Sequence, residues 1–292
     1  MTGGEASVTA RITCAQRAFE ARQRADRKIF HDPYARHFLQ SRLTRSLCAT
    51  RVSARLALSA FDRRFPGFHT EIMLRNRVAD EQMRWAIDQG IDQIVNLGAG
   101  YDTSAFRMDL GPAVLFEVDA PSTQEVKRRM IGEHDLVARH DVVYVPCDFE
   151  RDVVAACLQS AGFDAGRPCV VVWLGVSYFL TESAATSTLQ DVAAFSAPGS
   201  RLVWDYMDRG VVDGTTTAKG ALRAREVVTR RGEPYVFGLE SGGADALVEA
   251  SGFTAVLHER TPQLAERYGG PNGVWCSTDD FMGVMVVERG VA

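Results

Sequence analysis

Gln93-Ile94-Val95-Asn96-Leu97-Gly98-Ala99-Gly100-Tyr101-Asp102 is the stretch that decides the fold. A short apolar run passes straight into a turn with two glycines, as a strand does when it ends against a ligand. Gly98 and Gly100 let the backbone lie close to a bound group. A bare G-x-G is common, so its meaning comes from the two apolar runs downstream of it. The first of these ends Glu117-Val118-Asp119, and Asp119 lies 21 residues after Gly98. An acid at about that distance hydrogen-bonds ribose hydroxyls in nucleoside-binding βαβ units. The second ends Pro146-Cys147-Asp148-Phe149. At a strand's carboxyl edge Asp148 can accept from an adenine amino group while Phe149 packs on the ring. The alternative is a helix-capping Asp148 and a core Phe149.

Charge decides which nucleoside fits. A dinucleotide fingerprint carries a third Gly or Ala and a helix N-terminus free for pyrophosphate. Here position 103 is Thr, and Asp102 sets a carboxylate where phosphate would lie. Like charges there repel. A cationic nucleoside without phosphate suits the turn better. S-adenosyl-L-methionine has that chemistry: ribose, adenine, a sulfonium and an amino-acid ammonium.

Outward from this turn, the chain divides in two. After Gly90, apolar runs at 94–97, 114–118, 142–145, 170–174 and 202–204 alternate with helical stretches near 121–138, 150–161 and 182–197. That alternation predicts a parallel sheet with helices on both faces. Runs at 253–257 and 281–287 have only a short helix near 261–268 between them, so an antiparallel pair at the sheet edge is expected. Before Gly90, amphipathic helices are expected near 10–27, 33–41, 43–60 and 70–89. His31-Asp32-Pro33 and Phe65-Pro66-Gly67 break them. The division expected is a helical lid over 1–90 and a sheet-bearing core over 91–292.

Composition narrows the class. The chain has 292 residues, 46% hydrophobic and 24% charged. These values exclude a disordered or collagen-like chain. No apolar run reaches the roughly 18 residues of a membrane helix, and the first 13 residues lack a signal core. Six cysteines with no C-x-x-C pair read as reduced thiols, so the expected compartment is the cytoplasm. The histidines lack ligand spacing, and no metal is expected. Residues 1–80 hold 15 basic and 7 acidic side chains, the remainder 18 and 30. With few interleaved lysines or aromatics, a solvated helical face is favoured over nucleic-acid binding.

The same motifs resemble the leucine carboxyl methyltransferase family, in its bacterial branch that includes polyketide carboxyl methyltransferases. Thr9-Ala10, Arg17-Ala18-x-Glu20 and His31-Asp32-Pro33-Tyr34-Ala35 resemble its N-terminal helices. Arg77-x-x-Asp80 followed by NLGAGYDTSAFR (96–107) resembles its signature. FEVDAP (116–121), CDFE (147–150), Gly252-Phe253 and Ala265-Glu266-Arg267-Tyr268 follow in order. The resemblance implies an α/β fold of the class I, Rossmann-like methyltransferase type. Its sheet has seven mostly parallel strands with the last antiparallel, and a helical lid precedes it. It implies that Arg77 pairs with the cofactor carboxylate and that Gly98 and Gly100 flank the amino-acid portion. Asp119 would hold ribose, and Asp148 and Phe149 adenine. An intrahelical pair with Asp80 is the other role open to Arg77. One departure stands out: Leu174 and Phe179 occupy positions where the family usually has Glu and Tyr.

The activity expected is O-methylation of a carboxylate or phenol on a small metabolite. A carboxylate is already ionised at neutral pH; a phenol needs a base. No catalytic residue is assigned, although His31, His69 and Tyr178 are candidates for a base. Arg17, Tyr178 and Tyr206, with Asp205, are the expected substrate contacts. Three alternatives stay open: methylation of a protein C-terminus, a non-catalytic or non-methylating role for the same fold, and a nicotinamide oxidoreductase.

Overall fold

The computed structural model describes residues 8–269 and 273–290. Residues 1–7, the start of the expected lid, lie outside the described residues. Four helices come first: α1 (Val8–Glu20), α2 (Arg42–Cys48), α3 (Arg51–Arg64) and α4 (Phe68–Asp88). Phe65-Pro66-Gly67 breaks the chain between α3 and α4, with Gly67 at φ +85°. The helix expected at 33–41 is only a 3-10 turn, Ala35–Phe38. Asp32 holds it by accepting from the backbone N–H of Tyr34 and Ala35 at 3.1 and 2.9 Å.

The alternating half forms as the spacing predicts. Strands β1 (Gln93–Leu97), β2 (Val114–Asp119), β3 (Val142–Pro146), β4 (Val170–Trp173) and β5 (Arg201–Met207) are all parallel. Between them run α5 (Ser104–Arg107), α6 (Pro121–Glu133), α7 (Val154–Ser160) and α8 (Glu182–Phe195). Pro121 opens α6, where its missing N–H costs nothing. After β5 come α9 (Arg209–Asp213), α10 (Lys219–Arg230) and α11 (Gly243–Ala250), which no apolar run marks. Then follow β6 (Phe253–Arg260), α12 (Thr261–Tyr268) and β7 (Met282–Arg289). The sheet order is β3-β2-β1-β4-β5-β7-β6. The last two strands do pair antiparallel, but β7 also inserts between β6 and β5, antiparallel to both.

Both sheet faces are covered, which explains the continuous apolar strands. Ile94, Val170, Val172 and Val203 join the side chains of α1, α3 and α4 in one core cluster. Their strand neighbours Val95, Leu97, Val171, Leu202 and Trp204 join α7, α8 and α11 on the opposite face. The expected lid helices therefore share a core with the sheet they precede. Among the described residues no helix is long and apolar enough to cross a membrane.

Candidate active site

The strand order reverses at β1, with β2 on one side and β4 on the other. Open sheets bind ligands at such a switch point, beyond the carboxyl ends of the strands. A cavity of about 640 Å³ lies there. Its floor is the turn after β1, where Gly98 and Gly100 adopt φ +69° and +51°. A Cβ on Gly98 would collide with Val176 Cγ2, so that position needs glycine for space as well as for conformation.

Asp119 ends β2 beside this turn. Its Oδ2 accepts from Gly100 N at 2.5 Å and its Oδ1 from Ala120 N at 2.7 Å. Burial pushes its pKa up, against the pull of those two amides. A carboxylate has about four acceptor positions, so two remain for vicinal hydroxyls. Asp148 and Phe149 line the same cavity one strand further out. Asp148 also accepts from Glu150 N at 3.1 Å within a turn; the N-cap of α7 is Val153, so Asp148 does not cap a helix.

Arg17 reaches the cavity from α1 and is anchored there. It donates to Tyr101 O at 2.5 Å and pairs with Asp32 and Asp102 at 3.3 and 3.8 Å. Burial raises the Asp102 pKa, but Arg107, Arg17 and Lys127 outweigh it and hold the carboxyl at about 2.

Four predicted contacts sit elsewhere: Arg77, Tyr206, Tyr178 and Asp205, the last fully buried and lining no cavity. Arg77 is outside the cavity: it pairs with Glu81 at 3.2 Å and lies over the Tyr268 ring at 5.5 Å. The partner is Glu81, not Asp80, which pairs with Arg107 at 2.5 Å. Arg75, two residues earlier, lines the cavity instead. Two residues are about 200° apart on a helix, so the two arginines face opposite ways. Arg75 Nη1 donates to Asp205 Oδ2 (2.6 Å), Tyr178 Oη (2.9 Å) and Glu71 Oε1 (3.2 Å). Tyr206 is also outside the cavity. It follows Asp205 on β5 and so points to the other sheet face, where its hydroxyl meets His258 Nε2 at 2.7 Å. Tyr178 lines an adjoining chamber of about 60 Å³ rather than the main cavity. His69 is fully buried between Gln16 and Glu20, and His31 is exposed beside Lys28.

Two further features have no signal in the linear sequence. Glu233, on the loop after α10, accepts from Val8 N and Thr9 N at 2.9 and 3.0 Å and so caps α1. That contact ties two segments that both line the cavity. Beside Asp148, donor atoms of Cys147, Asp152 and Cys157 lie within 4.8 Å of one another.

The sheet order and the cavity at its switch point define a Rossmann-like fold of the class I methyltransferase type. Among solved structures, a DUF574 family protein from Streptomyces avermitilis shares this fold, with TM-score 0.58, 15% identity and 82% of this chain and 92% of that one covered. A "putative methyltransferase" from Thermobifida fusca matches at TM-score 0.58 and 13% identity over 94% of each chain. Residues 10–193 match the leucine carboxyl methyltransferase family, and the chain belongs to it. A Mycolicibacterium paratuberculosis protein named "Putative S-adenosyl-L-methionine-dependent methyltransferase" is 31% identical over 72% of this chain and 68% of its own length. A Frankia alni protein of the same description is 37% identical over 49% of this chain, and that match spans half of its length.

The residues present fit that cofactor. Gly98 and Gly100 offer a cradle that side chains would fill, and Asp119 keeps two acceptor positions. Arg75 Nε is buried with no hydrogen-bond partner among the described residues.

Proposed function

We propose that this chain is an S-adenosyl-L-methionine-dependent O-methyltransferase acting on a carboxylate or phenol of a small metabolite. The observation that carries the reading is Asp119, fixed by Gly100 N and Ala120 N at the mouth of the glycine turn. When bound, the cofactor supplies an electrophilic methyl group on a sulfonium. Asp119 would orient ribose, and Asp148 and Phe149 adenine. Arg17 and Arg107 offset Asp102 and Asp80 on the wall, while Asp119, Asp148, Glu150 and Glu233 leave it with more acidic than basic side chains, which suits a cation. Displacement at a methyl carbon needs chiefly an aligned nucleophile about 3 Å away and a dry site. α1 and the 232–236 loop supply the roof, with Glu233 joining them. Six free thiols favour a reducing compartment, in keeping with a cytoplasmic enzyme.

The test is calorimetric titration with S-adenosylhomocysteine and with NAD. Binding of the first alone is expected. Asp119→Ala should weaken it by about 1–3 kcal/mol, the loss for hydrogen bonds to an ionised group. Unchanged affinity in the variant, or preference for NAD, overturns the reading.

A further inference from the structure

The chamber beside the main cavity has an unusual wall. Phe61, Phe65, Phe68, Tyr178 and Tyr235 give it five aromatic rings, and Glu71 adds one carboxyl. Arg75 lines both spaces and stands at their junction. About 60 Å³ corresponds to roughly four to six water-sized volumes, enough for the reacting end of an acceptor. Glu71 Oε1 accepts from Arg75 at 3.2 Å, while Oε2 is buried with no partner among the described residues. A buried carboxyl oxygen without a donor is costly, and a ligand hydroxyl would satisfy it.

We propose that the acceptor is a neutral hydroxylated compound, aromatic at its reacting end, and that Glu71 takes its hydroxyl proton as the methyl group moves. The inference rests on the methyl-transfer reading above. The hydroxyl oxygen forms the new C–O bond as the C–S bond breaks. The electron pair of that bond stays on sulfur, leaving a thioether, and the proton passes to Oε2 of Glu71. A carboxylate acceptor fits this junction poorly. Among the described residues Arg75 is the single cation facing Glu71 there, and Asp205 already holds it at 2.6 Å. A further negative charge would enter a dry site with no second cation to meet it.

The other groups facing Glu71 agree with a proton acceptor. They are Arg75 on α4, Asp205 on β5, and the hydroxyls of Tyr178 and Tyr235 from two loops. Thr9, Ile12 and Thr13 of α1 and Phe61 of α3 carry no charge. Burial pushes Glu71 up to about 8, with Arg75 opposing and Asp205 adding to the rise. A base so poised has high proton affinity and is free to accept once the pH exceeds about 8.

The test has a binding and a kinetic arm, both on the full chain. The binding arm titrates 4-methylphenol and 4-methylbenzoate calorimetrically at about pH 9, where Glu71 is ionised and the phenol still neutral, with and without S-adenosylhomocysteine. The phenol should bind at least tenfold tighter. Equal or tighter binding of the benzoate, or no binding of the phenol, overturns the proposal. The kinetic arm follows labelled methyl transfer to phenols. For the wild type kcat/KM should rise to a plateau above about pH 8. Glu71→Gln should lower kcat at least a hundredfold, leave KM within threefold and abolish that rise. Glu71→Asp should keep the rise at reduced kcat and shows that the site tolerates change. A Glu71→Gln enzyme with the wild-type pH profile overturns the role. Methyl transfer to acids alone would overturn the inference while leaving the methyltransferase reading intact. Failure of S-adenosylhomocysteine to bind would instead strike that earlier reading, with the phenol preference still legible without the cofactor.

Discussion

Replacing Arg75 with Met should unfold the protein far more readily than the same change two residues on. Arg75, Glu71 and Asp205 are 4%, 2% and 0% exposed. Removing the guanidinium strands two carboxyls in a dry core. Glu71, held at about 8, keeps its proton at pH 7, so Asp205 is the charge left unpaired. Breaking a buried pair by removing one partner costs about 3–5 kcal/mol. Gly175 N still donates to Asp205 at 2.7 Å, which puts the expected loss near the lower end, about 3 kcal/mol. Arg77→Met removes a half-exposed pair with Glu81 and a contact with Tyr268, together about 1 kcal/mol or less. Urea unfolding followed by tryptophan fluorescence reads the difference. With a slope of about 3 kcal/mol/M, Arg75→Met shifts the midpoint by about 1 M and Arg77→Met by a third of that or less. Adding Asp205→Asn to Arg75→Met should restore at least half of the loss. The deficit should also shrink as pH falls from 8 to 5. A carboxyl whose folded pKa is raised stabilises below its unfolded value and loses that contribution as pH rises through the folded one. Equal losses at positions 75 and 77, or no rescue by Asp205→Asn, would refute the buried-cluster account.

Gly98→Ala drives a Cβ into Val176 Cγ2 at a left-handed φ, so S-adenosylhomocysteine affinity should fall at least tenfold by calorimetry. Adding Val176→Ala should recover part of it; no recovery would locate the defect in the backbone alone. Glu233→Ala removes the acceptor for Val8 N and Thr9 N and should cost about 1–2 kcal/mol, the value of a helix cap. Limited proteolysis should then cut faster within residues 8–20, and an unchanged pattern would count against a roof held by this contact. Burial raises Glu71 and Asp205, so the wild-type melting temperature should drop between pH 6 and 9, and less so in Glu71→Gln. Asp102, held at about 2, runs the other way: its contribution is full above pH 4 and is lost only as pH falls through about 2. Melting curves across pH 2 to 9 check both signs.

Much of this fold is legible in the sequence because its signals are local. The runs at 94–97, 114–118 and 142–145 each fall within an observed strand, since β-branched residues bounded by turn signals need no distant partner to be recognised. The glycine turn, Asp119, Asp148 and Phe149 line one cavity because all end parallel strands at the same sheet edge. Arg77 misleads because the linear sequence offers arginines at both 75 and 77, and on a helix a shift of two residues reverses the face. Tyr206 misleads for the matching reason on a strand: the strand end is right, but neighbours alternate sides, and Asp205 on the other side is fully buried against Arg75 and lines no cavity. α9 to α11 leave little trace in the sequence because their apolar stripes are short, and in α9 and α10 they are interrupted by arginines and glycines.

By itself the sequence determined the alternation of strand and helix, the glycine bend and the acid beyond it. Each depends on backbone preference and spacing within about 25 residues. Only the tertiary structure decided which arginine enters the core, which loop caps the first helix and where a carboxyl oxygen is left without a donor. Those depend on side-chain direction and on partners up to 225 residues away, which no local pattern encodes.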